Sequence, residues 1–252
     1  MQKYNYAPFE PIVGMKRKVG QTCFLAELKI NPEEFAARVP EGFKVISDTA
    51  YVLIAEATLR DEKSKDYEFI NPIYSQYYEA GILVEVEARG HKGYTYVTRY
   101  FDKDWAVMES RMKGFDAFYA NVRTTRFPTE MIPYYYIQEG SRMKAVAIDE
   151  GTKPISLGFD ADKPAGELNF DFLFDNIIGL RKVVHIVEGR RGEIICDDIT
   201  TEKLSNIRYK DFWLGKDIKL VFDHKEVGEF QYEVKNAYWF MMGFSADGIE
   251  VL

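Results

Sequence analysis

The sequence is poor in the residues that most often announce a metal centre or a nucleophilic relay. It has two cysteines, Cys23 and Cys196, far apart and without metal-ligand spacing. Its three histidines, His91, His185 and His224, are equally scattered, so no zinc motif and no His-based triad is supported by spacing. Both thiols are expected to be reduced and buried. No G-x-x-x-x-G-K-[ST] phosphate loop and no G-x-S-x-G elbow occurs. No apolar run approaches the roughly 20 residues that span a bilayer, so no membrane association is expected. The opening "MQKYNYAPFEP" lacks the charged-then-apolar layout of a secretory signal, which makes a cytoplasmic location the expectation. Positive charge is also in deficit: the net charge of −7 repels phosphate backbones and argues against a nucleic-acid partner.

Aromatic side chains are plentiful, with 17 Tyr and 18 Phe, and flat rings suit the pleated surface of a sheet. Strand chemistry recurs in "QTCFLAELKI", "AYVLIAEATLR", "GILVEVEAR" and "GYTYVTRYF", with "GHKG" (90–93) as a hairpin turn. It returns in "RMKAVAID", "PISLGFD", "KVVHIVEG", "GEIICDDI", "DIKLVFD" and "QYEVKNAYWFMMGFS". A short helix is predicted over "NPEEFAARVP", where Asn31 caps, Pro32 suits the first turn and Glu33 and Glu34 favour the positive end. "DFLFDNIIGL" reads as strand or short helix. "WAVMESRMKGFDAFY" is ambiguous, because its apolar spacing is only partly helical and Gly114 interrupts it. With no repeat, linker or low-complexity run, residues 1–252 read as one mainly β domain with a few short helices, an α+β chain.

The collinear order of three segments resembles the acetoacetate decarboxylase-like superfamily. "LKINPEEFAARVPEGFKV" resembles its early strand and helix ending in Val-Pro-Glu. In "YYEAGILVEVEARGHKGYTYVTRYFDKDWAV", Glu79-Ala80-Gly81 and Tyr100-Phe101-Asp102 resemble its Glu-x-Gly and Tyr-Leu-Asp elements. "NIRYKDFWLGKDIKLVFDH", with Trp213, Gly215 and Phe222-Asp223-His224, resembles its closing pattern. The resemblance implies a closed β-barrel-type domain with a small interior site. It also implies a cofactor-free lyase with an oxo-acid-like small-molecule substrate, and a homo-oligomer. In the decarboxylases a lysine amine forms a Schiff base with the substrate, which requires it to be neutral although a free lysine has a pKa near 10.4.

The motif that carries that lysine reads roughly Gly-Arg-Glu-x-x-Gly-Tyr/Phe-Pro-Lys-Lys. Aligned on Gly114-Phe115, this chain has Ala117 and Phe118 in place of the two lysines. Lys113 lies four residues earlier. Four residues span about 6 Å on a helix but about 13 Å on a strand, so only a helix brings Lys113 to the same cavity. Arg111 would then be its neighbouring cation. By the resemblance Glu79 matches the superfamily's active-site glutamate and is the candidate acid–base group. The arginine expected to meet a substrate carboxylate falls near Gln21, or at Arg17 with a small gap, and Glu56 matches a second acidic position. Arg99 suits an anionic substrate, while Tyr78 and Phe118 are candidate lining residues, as are the clusters "YSQYY" (74–78) and "YYY" (134–136). Three readings follow: a lyase, dehydratase, cyclase or isomerase working without the usual Schiff base; an imine-forming decarboxylase or aldolase using Lys113; and a non-catalytic ligand-binding barrel.

Overall fold

The structure is a computed structural model that describes residues 16–61, 72–127, 136–186, 188–223 and 228–252. His224, Tyr134 and Tyr135 lie outside the described residues. Among the described residues eleven strands follow in chain order: β1 (Arg17–Ile30), β2 (Lys44–Asp61), β3 (Gln76–Ala88), β4 (His91–Phe101), β5 (Ala117–Tyr119), β6 (Asn121–Thr124), β7 (Arg142–Asp149), β8 (Thr152–Pro164), β9 (Ile177–Val184), β10 (Ile194–Val221) and β11 (Tyr232–Val251). The α-helices among the described residues are α1 (Pro32–Ala36), α2 (Asp104–Met112) and α3 (Asp171–Phe174), and one 3-10 turn spans Pro72–Tyr74. Mainly β with short helices is therefore the architecture, and no helix among the described residues is long and apolar enough to cross a membrane.

Strand order is β11-β1-β2-β3-β4-β9-β10, and β10 also pairs with β11, which closes a ring. The ring is roughly barrel-like rather than even, because β4 and β9 meet in parallel through a single pair, Tyr94 with Ile177. The 28-residue β10 leaves the ring after pairing with β11 and carries on into a second sheet, β10-β8-β7-β6.

Strand pleating sorts the apolar side chains into separate cores. On β1, Phe24, Ala26 and Leu28 face outward and pack with Met143, Leu157 and Phe159 of the second sheet. Their neighbours Cys23 and Leu25 face into the ring with Leu53, Leu83, Tyr96, Phe174 and Phe240. A third cluster, Val19, Leu59, Phe101, Trp105 and Ala117, fills the other end of the ring. Between these last two clusters lies the interior cavity.

Several local expectations shift. The β3–β4 turn is made by Arg89 and Gly90, both with positive φ (49° and 87°), not by residues 90–93. Positive φ at both central positions matches the twist of paired strands. "DFLFDNIIGL" divides into α3 and the start of β9, and "KVVHIVEG" is strand only as far as Val184. Cys23 is buried as expected, but Cys196, paired with Val183 in the β9–β10 ladder, is only half-buried.

Candidate active site

Helix α2 resolves the ambiguous stretch. Asp104 accepts a hydrogen bond from the Trp105 amide at 2.7 Å and supplies negative charge at the helix N-terminus. At the other end the Lys113 amide bonds back to Glu109 and Ser110, and Gly114 follows with φ 95°. A glycine in this left-handed conformation ends helices commonly. The carbonyl of Gly114 accepts from the Leu180 amide at 3.0 Å, and the Thr200 hydroxyl donates to the Lys113 carbonyl. The end of α2 is thereby fixed against β9 and β10. A β-carbon at Gly114 would meet the Arg181 and Leu180 backbone at 2.7 Å. Gly114→Ala is therefore expected to lower stability by roughly 2–3 kcal/mol, read as a fall in thermal midpoint, through strain and backbone displacement together. A change within about 0.5 kcal/mol would contradict this packing.

The cavity enclosed by the ring has a volume of about 80 Å³, room on the order of several waters or one small organic acid. Three cations, Arg17, Arg99 and Lys113, and three carboxylates, Glu79, Glu109 and Glu202, line it, so the formal charges cancel. Gln21, Tyr77, Tyr96, Trp105 and Ser110 add polar atoms, with Leu53, Leu59, Phe101 and Phe174 among the apolar walls.

The charges form two connected groups. Glu79, only 3% exposed, accepts from Gln21 Nε2 on Oε1 at 2.9 Å and from Arg99 Nε and Nη2 on Oε2 at 3.0 and 2.6 Å. The Arg99 guanidinium also lies over Tyr96 and Phe101, 4.2 and 4.8 Å from the ring centroids. In the second group Arg17 Nη1 bonds both oxygens of Glu109 at 3.1 and 3.0 Å. Lys113 Nζ lies 2.9 Å from Glu109 Oε1 and 2.7 Å from Glu202 Oε1. Glu109 and Lys113 are four residues apart on one helical face, in the favourable order with the acid first.

Burial alone would push the Glu109 and Glu202 carboxyls up and the Lys113 amine down. The opposite charges win: Lys113 and Arg17 hold Glu109 below the ordinary carboxylate range, and Lys113 and Arg99 do the same for Glu202. In turn Glu109 and Glu202 hold Lys113 above the ordinary lysine value. Burial, reinforced by Glu79, raises the Tyr77 phenol. Burial raises the Tyr96 phenol as well, against the opposing pull of Arg99.

Of the residues singled out in the sequence, Glu79, Lys113, Gln21, Arg17 and Arg99 converge on this cavity. Four others lie elsewhere. Tyr78 and Glu56 are neighbours across the β2–β3 ladder and point to the other face from Glu79, as alternation requires. There Arg126 binds Glu56 at 3.0 and 2.5 Å and also contacts the Tyr78 hydroxyl. Phe118 packs toward the outer core beside Tyr100, 5.9 Å between ring centroids. Arg111, two residues round the helix from Lys113, turns outward; its Nε donates to the Ala117 carbonyl at 2.8 Å and its guanidinium lies over Phe118. The cations beside Lys113 are Arg17 and Arg99. Ala117 itself is fully buried in the cluster that walls one end of the cavity. Tyr77, from the cluster at 74–78, also lines the cavity, whereas Glu109, Glu202 and Tyr96 were given no role from the sequence. Among the described residues no group of three or more His, Cys, Asp or Glu is arranged to hold a metal ion.

The family model for acetoacetate decarboxylase matches residues 4–252. The chain belongs to the acetoacetate decarboxylase family. An acetoacetate decarboxylase-like enzyme from Sphingomonas wittichii RW1 superposes with a TM-score of 0.84 at 17% identity, covering 100% of this chain and 98% of that one. The enduracididine biosynthesis enzyme MppR, solved in complex with pyruvate, gives 0.78 at 14% identity over 94% of this chain and 90% of its own. Acetoacetate decarboxylase from Legionella pneumophila gives 0.71 at 13% identity, covering 95% and 88%. No curated protein matches the chain. Lys113 is the lysine among the residues that line the cavity, and Ala117 and Phe118 follow it at the start of β5.

Proposed function

We propose that this protein is an enzyme that takes a small oxo acid into the ring cavity and activates it as an enolate, without forming an imine on a lysine. The observation that carries this reading is the pair of carboxylates at Lys113 Nζ, 2.9 and 2.7 Å away. An amine must shed its proton before it attacks a carbonyl. Glu109 and Glu202 favour the ammonium form, and a buried ammonium is instead a donor for a developing oxyanion. Arg17 and Arg99 suit the substrate carboxylate, while Glu79 orients Arg99 and Gln21 through both of its oxygens.

An enolate is common to the reactions open to such a site. Loss of carbon dioxide from a 3-oxo acid leaves one, and removal of a proton beside a ketone makes one before dehydration, cyclisation or isomerisation. The pyruvate complex of MppR supports an oxo acid as the substrate class. None of these steps requires a cofactor.

Calorimetric titration with pyruvate and acetoacetate, combined with borohydride reduction and peptide mass spectrometry, tests the proposal. Binding is expected with no reduced adduct in residues 109–122. An adduct on Lys113 would favour imine chemistry instead, a second reading supported by the helical path that carries this amine into the cavity four residues before Ala117. Failure to bind any small oxo acid would leave the non-catalytic barrel.

A further inference from the structure

The three cavity carboxylates differ in how their oxygens are occupied. Glu79 receives Gln21 on one oxygen and two bonds from Arg99 on the other. Glu109 receives Arg17 on both oxygens and Lys113 on one. Glu202 has one ion pair among the described residues, with Lys113 through Oε1 at 2.7 Å. A carboxylate bonded on every side by cations is a weak base and is fixed in rotation. One held by a single ion pair on a cavity wall can accept a proton from a bound molecule.

We propose that Glu202, contributed by β10, is the proton-carrying group of the cavity: it takes a proton from the carbon beside the substrate's ketone and returns it. This rests on the oxo-acid reading above and moves the acid–base role from Glu79 to Glu202. As Oε2 takes the proton, the C–H electron pair becomes a carbon–carbon π bond. The carbonyl π pair moves onto oxygen, and the oxyanion lies against the Lys113 ammonium. In reverse, the oxyanion pair re-forms the carbonyl and the proton on Glu202 returns to carbon. No oxidant, reductant or further reactant is consumed.

Two features of the site support this order of events. Glu202 and the Lys113 amine are in direct contact, so proton removal and oxyanion capture occur within one small space. Before substrate enters, Lys113 and Arg99 hold the Glu202 carboxyl low and keep it ionised. Once the substrate's carboxylate and forming oxyanion draw on those same cations, less of their field reaches Glu202, and its basicity rises when a proton is to be taken.

Exchange of the pyruvate methyl hydrogens in D₂O, followed by proton NMR, reads the step directly. The wild-type protein is expected to bind pyruvate and exchange it, with a rate that rises with pH through a carboxylate titration. Glu202→Gln is expected to bind pyruvate as tightly or more tightly, because the cavity loses one negative charge. Its exchange should fall by a factor of about 100 or more and lose that pH dependence. Glu202→Asp keeps the charge but withdraws the carboxylate by one methylene; it should exchange more slowly than wild type while retaining the pH profile. Glu79→Gln should weaken pyruvate binding instead, by loosening Arg99. Glu202→Gln or Glu202→Asp protein that stays folded, binds pyruvate and exchanges it at the wild-type rate would overturn the assignment alone. If the wild-type protein binds no oxo acid, both this inference and the oxo-acid reading fall.

Discussion

Arg99→Met should cost the fold about 3–5 kcal/mol in urea denaturation, one of the two largest effects expected of any single substitution in this protein. Methionine can follow the path of the arginine stem between Tyr96 and Phe101, so the loss is not chiefly one of packing. What it leaves is the Glu79 carboxylate, 3% exposed, with Gln21 as its remaining hydrogen-bond partner. An ionised carboxylate without a countercharge is costly to keep out of water, and removing one partner of a buried pair exposes that full cost. Adding Glu79→Leu should recover a large part of the stability, since an apolar pair of similar volume avoids desolvating either charge. Activity should not return with it. A double variant no more stable than Arg99→Met would mean that the loss lies in packing against the two rings.

Lys113→Met should be of similar size, about 3 kcal/mol at pH 7, somewhat moderated because Arg17 and Arg99 remain. Its pH dependence carries the diagnostic sign. In the wild type the amine of Lys113 is raised, so its contribution is fully present below the unfolded lysine value of about 10.4 and is lost as pH rises through the folded value. Glu109 and Glu202 are lowered, so theirs is present above the unfolded value of about 4.3 and is lost as pH falls through the folded values. Without Lys113, burial is less opposed at Glu202 and its carboxyl moves up. That carboxyl then destabilises the folded state more as pH rises from 5 to 7. The gap between variant and wild type should therefore widen over that interval. A constant gap would show that Lys113 acts through packing alone. With pyruvate bound, hydrogen exchange in this variant should drop by roughly 100-fold or more, the scale of removing one oxyanion donor.

Most of the strands were legible because the fold is built from alternation, and alternation survives in one dimension. The ambiguity at residues 105–119 had a physical cause. Trp105, Ala106 and Val107 are all buried on one short helix, which seals an end of the ring and so lacks a simple amphipathic stripe. The strand that follows is only three residues long. The continuous β10 was hidden because its ladders are broken by register shifts, which read in sequence as separate strands.

At the site, Glu79, Gln21 and Arg17 were visible through family order, Arg99 through its charge, and Lys113 through its offset of four residues. The parity of β3 already implied that Tyr78 could not share the face of Glu79. Glu109 and Glu202 were missed for a better reason. In "DITTEKLSN" the glutamate sits in a polar strand that looks solvated, and only closure of the ring by β11 turns it inward. The i,i+4 relation of Glu109 to Lys113 was the one local signal available.

The register of β10 also constrains how the length of this protein can change over generations. From Cys196 to Glu202 its pairing with β9 is unbroken, and from Thr200 to Lys203 so is its pairing with β11. Beyond that point three irregularities follow, ending at Trp213. A single inserted codon upstream of Glu202 would turn that carboxylate to the opposite face, whereas one placed among the irregularities can be taken up as another bulge. Related genes should therefore gain and lose residues on one side of Glu202 and hold their spacing on the other.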